Sequence, residues 1–126
     1  MTASFSHLIA DLWGVSADQL RDAPLLSGLL IAAASAAGLS PVAAPVVRPL
    51  PQEGVTGFVP MDGCHMLCHT FPDRELLLLD VLTPPGNDGR KALEVFARRL
   101  HPREVWSDVR ERGMVGSEQR AASEPR

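Results

Sequence analysis

Over residues 6–14, "SHLIADLWG", apolar and polar positions alternate, which predicts a strand with two unlike faces. Leu8, Ala10 and Leu12 fall on one face, and Ile9, Asp11 and Trp13 on the other. The period becomes helical over residues 16–40, "SADQLRDAPLLSGLLIAAASAAGLS". Asp22 suits an N-cap, Pro24 the first turn and Gly38 a left-handed C-terminal cap. Apolar residues are too numerous here for one narrow stripe, so this helix is expected to lie buried on a sheet. Pro41, Pro45 and Pro49 confine "PVAAPVVRPL" to a short or edge strand, because proline cannot donate to a ladder. Three β segments follow, "GVTGFVPM", "CHMLCHTF" and "ELLLLDVLTP", separated by turns at Asp62-Gly63 and "PDRE". Residues 76–81 are expected to form a buried strand. After the breaker "PPGNDG", the segment "RKALEVFARRL" sets Ala92, Val95, Phe96 and Leu100 at helical spacing. Arg98 and Arg99 stand near its C-terminal end, where positive charge is favoured. "REVWSDVRERG" reads as a last strand. The order β-α-β-β-β-β-α-β predicts a mostly antiparallel sheet with helices on one face.

Composition narrows this picture in a few places. A chain of 126 residues is expected to form one domain, residues 1–113, followed by a polar, disordered tail, residues 114–126. A net charge of -3 gives no sign of a nucleic-acid partner. The apolar run "APLLSGLLIAAASAAG" is too short and too interrupted by Ser27, Gly28 and Ser35 to span a bilayer. The N-terminus lacks the basic start and apolar core of a secretory signal. Two cysteines in one short segment make no disulfide framework, so a reducing cytoplasm is the expected setting.

Candidate chemistry concentrates in "MDGCHMLCHTFPD", which holds both cysteines and two of the four histidines. A metal is the first thought. On a strand, however, Cys64 and Cys68 point to one face and His65 and His69 to the other, so the four cannot close one tetrahedron. No metal is therefore expected. A thiol nucleophile is the second, since Cys64 follows Gly63 in a tight turn with two histidines near it in sequence. Against it stands the common role of cysteine as a small core residue, which is the reading for Cys68 beside Leu67. His7 is read as a buried, hydrogen-bonded side chain ahead of a site member, and His101 as a solvated helix end.

Taken with its neighbours, the motif resembles a known family. "GVTGFVPMDGCHMLCHTFPDRELLLLDVLTP" is similar to the core of the bacterial S-adenosylmethionine decarboxylases. Their pattern runs Gly-Val-Ser-Gly, a short apolar strand, Glu-Ser-His, two or three residues, His-Thr-Trp-Pro-Glu, then a strand ending Asp-x-Phe-Thr-Cys. "SHLIADLWGVSADQLRDAPLL" resembles the opening strand and helix, "RKALEVFARRLHPREV" the second helix and "RERG" the last strand, so the likeness spans residues 5–113. It implies a two-layer α/β (α+β) sandwich and a homodimer. It also implies a proenzyme that cuts itself before the Ser, leaving a pyruvoyl group that serves as electron sink when S-adenosylmethionine loses carbon dioxide. Polyamine (spermidine) synthesis is the implied pathway.

Residue by residue, Thr56 matches the Ser of Gly-Val-Ser-Gly, His65 the His of Glu-Ser-His, and His69 the His that assists self-processing. Phe71 replaces the Trp and Asp73 the Glu. Three positions depart on the chemistry itself. Gly63 stands at the Glu, Cys64 at the pyruvoyl-forming Ser and Pro84 at the proton-donating Cys. The resemblance thus implies catalytic roles for Cys64 and His69 and supporting roles for Thr56, His65, Gly63 and Cys68. Cys64, His65, His69 and Thr56 are expected to line one pocket near a dimer interface, with Pro84 at its edge. Three functions compete: a decarboxylase with a Cys64-derived pyruvoyl group after Gly63–Cys64 cleavage; an uncut enzyme that releases methylthioadenosine by elimination or cyclisation; and an inactive partner in a heteromer with an active paralogue. In the first, Cys68 or His69 would have to replace the missing proton donor.

Overall fold

The computed structural model describes residues 4–113, so the reading of residues 114–126 as a disordered tail lies outside the described residues. Six strands form one sheet: β1 (Phe5–Trp13), β2 (Val46–Pro49), β3 (Val55–Met61), β4 (Cys64–Phe71), β5 (Leu76–Thr83) and β6 (Glu104–Arg112). Their spatial order is β2-β3-β4-β5-β1-β6, and every neighbouring pair is antiparallel. Three helices, α1 (Ala17–Leu20), α2 (Ala23–Ala36) and α3 (Gly89–Leu100), complete the α+β sandwich.

The helical stretch over residues 16–40 divides at Asp22, the residue read as an N-cap. Arg21 closes α1, and Asp22 begins α2 by accepting a hydrogen bond from the Leu25 N–H at 3.0 Å. A side chain at Asp22 that satisfies a free N–H of the next helix competes with continuing the first. At the other end of α2, Gly38 takes φ +74° while its N–H bonds Ser35 and the Leu39 N–H bonds Ala34. These two bonds are the Schellman arrangement, for which a residue without Cβ is the natural occupant. The proline-rich segment contributes only Val46–Pro49, at the sheet edge, with Pro41 in an isolated bridge to Met61.

Alternation along each strand separates two faces. Leu8, Ala10, Leu12, Val55, Val59, Met66, Leu77, Leu79 and Val81 are buried together with Leu26, Leu30, Ala33, Ala92 and Phe96 of the helices. Beyond Leu76, which is buried at its start, the strand at residues 76–81 is therefore buried on one side only. Leu79 is 2% exposed, whereas Leu78 and Asp80 lie half-buried on the opposite face. Among the described residues no helix covers that second face, and Ile9, Trp13, Phe58 and Trp106 remain exposed on it.

Candidate active site

The register of the sheet turns its open face into a grid. Thr56, His69, Leu78, Asp11 and Trp106 lie in one row across β3, β4, β5, β1 and β6. The next row holds Phe58, Leu67, Asp80, Ile9 and Asp108, and the one beyond it Pro60, His65, Leu82, His7 and Arg110. Residues far apart in sequence thus become neighbours through pairing alone.

Two histidine arrangements result. His69 Nδ1 lies 2.9 Å from Thr56 Oγ1, directly across the β3–β4 pair. His65 and His7 flank Leu82, and Asp80, one row away on the central strand, reaches both. Its Oδ1 lies 3.0 Å from His65 Nε2 and 2.8 Å from His7 Nε2. Arg112 Nη1 approaches the other nitrogen of His7, Nδ1, at 3.2 Å. Ligand atoms of His7, His65 and Asp80 all fall within 4.8 Å of one another. His7 is hydrogen-bonded as expected but only half-buried, and it belongs to this cluster.

The cysteines lie on the other side. In β4 the buried positions are Cys64, Met66, Cys68 and Thr70, while His65, Leu67, His69 and Phe71 face the open side. The four residues expected to line one pocket are therefore split. Thr56, His65 and His69 share the open face, and the Cys64 side chain turns toward the helix layer, because strand side chains alternate. Burial pushes the Cys64 thiol pKa up, and the Asp62 carboxylate adds to it. Cys68 is fully buried and pushed up to about 12 by burial, partly offset by the Gly57 backbone N–H. It packs near Gly57 and Leu30, as a core residue would.

Gly63 takes φ +68° in the two-residue loop between Met61 and Cys64, with open space where a side chain would stand. A cleft at this end of the sheet is lined by Phe5, Gly63, Leu82, Arg112 and Gly113. Pro84 directly follows β5, two residues past Leu82, the partner of His65, so it stands at the same end as Cys64. A second groove, in the middle of the open face, is lined by Ile9, Asp11, Leu67, His69, Leu78 and Asp80. Two carboxylates over an apolar floor suit a ligand that carries positive charge beside apolar groups. Local sequence pattern alone does not place Asp11, Asp80 and Arg112 in a site. The signal for Asp80 is its position: a lone acid in "LLLLDVL" whose strand parity sets it with Leu78 and Leu82.

The sequence pattern of the S-adenosylmethionine decarboxylase family matches residues 6–113. The chain is similar to the S-adenosylmethionine decarboxylase proenzyme of Persephonella marina, 33% identical over 110 residues that cover 86% of this chain and 82% of the relative. It is 31% identical to the proenzyme of Aquifex aeolicus over 113 residues, 89% of this chain and 83% of that one. The crystal structure of the adenosylmethionine decarboxylase from Aquifex aeolicus superimposes with a TM-score of 0.82 at 28% identity, covering 92% of this chain and 96% of that one.

Proposed function

The chain belongs to the S-adenosylmethionine decarboxylase family, and on that premise we propose that it binds S-adenosylmethionine or a related amino acid on its open sheet face and acts as a carboxy-lyase with a Cys64-derived pyruvoyl group. The observation that carries this reading is the position of Cys64. It is the first residue of β4, directly after a glycine held at φ +68°. Gly63 is exposed in that turn and puts no side chain in the way of a rearrangement of the Gly63–Cys64 peptide. A thiol at residue 64 behind a turn with no side chain at residue 63 supports formation of the group. A pyruvoyl group there would supply the electron sink for loss of carbon dioxide.

Processing follows from the thiol. Cys64 Sγ attacks the Gly63 carbonyl carbon, the peptide C–N bond breaks and a thioester forms, its nitrogen taking up a proton. A base removes the Cys64 Cα proton and the Cβ–S bond breaks. Gly63 then ends in a thiocarboxylate, and hydrolysis of the resulting enamine releases ammonia and leaves the ketone. His69, the base implied by family position, stands five residues along β4 from Cys64, about 17 Å at the rise of a strand. It would therefore act on a second copy of this chain seated against the open face. The exposed Ile9, Trp13, Phe58 and Trp106 on that face support such a homodimer. Free Cys64 and Cys68 support a cytoplasmic setting, and polyamine synthesis comes with the family reading.

Intact mass of the purified protein tests this. Two fragments, residues 1–63 and residues 64–126 with a blocked start, are expected, and His69→Ala should leave the chain uncut. Mixing His69→Ala with Cys64→Ala chains during expression should restore cutting of the first by the second. A single full-length mass with an alkylatable Cys64 would end the pyruvoyl reading. The uncut enzyme would then take its place, favoured by Pro84, which has no proton to donate, and by a Cys64 thiol turned away from the open face. Its test is release of methylthioadenosine from S-adenosylmethionine.

A further inference from the structure

The Asp80 cluster has an asymmetry that the Thr56–His69 pair lacks. A threonine hydroxyl both donates and accepts, so it leaves the tautomer of His69 open. An ionised carboxylate only accepts, so an imidazole nitrogen bonded to it carries the proton. Asp80 Oδ1 faces Nε2 of both His65 and His7. Arginine only donates, so the Arg112 contact requires a lone pair on His7 Nδ1, which again leaves the proton of the neutral ring on Nε2. The chain Arg112 to His7 to Asp80 is therefore oriented throughout, and His65 joins it from the other side. The two rings stand edge to face, 86° apart with centroids at 6.1 Å, each side chain only partly exposed.

The same three side chains have the composition of a two-histidine, one-carboxylate metal centre. A metal on His7 Nε2 would need the proton on Nδ1, where it would oppose the Arg112 guanidinium. That contact favours the hydrogen-bonded arrangement.

We propose that Asp80 is a positioning residue that clamps His65 and His7 through Nε2, so that His65 presents a bare Nδ1 as the proton-accepting atom of the open face. Among the described residues, His65 Nδ1 has no hydrogen-bond partner of its own. A carboxylate that fixes an imidazole tautomer and orientation is how other active sites hold a base. On this arrangement the atom that takes a proton from a bound amino acid or its ammonium belongs to His65, while His69 serves self-processing. The inference rests on the reading of the open face as the substrate site.

Nitrogen-15 NMR of the histidine rings tests the clamp without any turnover, on the protein as purified and at a pH where the rings are neutral. His65 and His7 should both show the Nε2–H tautomer. Asp80→Ala should convert His65 to a mixture while Arg112 still holds His7 as Nε2–H, Asp80→Asn should largely keep Nε2–H because its amide oxygen still accepts, and Arg112→Gln should leave both rings Nε2–H because Asp80 still accepts from each. A wild-type His65 in the Nδ1–H form, or one whose tautomer Asp80→Ala leaves unchanged, would overturn the proposal; the wild-type spectrum decides alone if the variant does not fold. Added Zn²⁺ that moves both rings to Nδ1–H at one equivalent would overturn it in favour of a metal centre. Titration with S-adenosylmethionine separates the premise: a clamped tautomer in a protein that does not bind this compound sinks the substrate reading and leaves the clamp standing.

Discussion

Replacing Thr70 by Val removes one oxygen from the core and little else. The Thr70 hydroxyl is fully buried, donates to the Leu20 carbonyl at 2.7 Å and accepts from the Val55 N–H at 2.8 Å. It therefore ties the last carbonyl of α1 to the start of β3 from the end of β4. Leu20 and Val55 are themselves buried, so neither orphaned backbone group gains water in the variant. Each buried group left unpaired costs about 1–3 kcal/mol, and the added methyl returns on the order of 1 kcal/mol. The net loss should be about 1–5 kcal/mol, a fall in melting temperature of roughly 4–20 °C for a domain of this size. Thr70→Ser keeps both hydrogen bonds and loses one methyl, about 1 kcal/mol. Urea and thermal unfolding of the three proteins measure this. A Val variant as stable as the wild type, or less damaged than the Ser variant, would refute the assignment of stability to the hydroxyl.

Leu79→Ala should cost about 2–4 kcal/mol in the same unfolding assay because it opens a cavity under the helices. Leu78→Ala, on the open face, should cost clearly less, and equal losses would contradict the one-sided burial of β5. In the uncut chain, Cys64 should alkylate slowly at pH 7, with a rate that climbs about tenfold per pH unit while the pH stays below its raised pKa. Cys68, pushed up to about 12, should stay unmodified in the native state and react only after unfolding, as mass spectrometry of the labelled peptides would show.

Much of this molecule is written in local pattern. Period-two alternation assigns Leu8, Ala10 and Leu12 to the covered face of β1, and the same parity separates Cys64 and Cys68 from His65 and His69. Asp22 and Gly38 mark the two ends of α2 because capping is chemistry within a few residues. Local pattern has no term for which strand lies beside which, since alternation is the same against any neighbour. Tertiary structure supplies that by inserting β5 between β4 and β1 so that every covered face meets the helices. The insertion brings Asp80 to His7, 73 residues away, and Arg112 to the same ring across 105 residues. It also leaves Leu78 on the open side of a strand whose apolar run reads as buried throughout. The chemistry-bearing residues are legible in the sequence one at a time; which of them share a hydrogen bond is decided by strand order, because only the packed sheet puts distant side chains of like parity in adjacent rows.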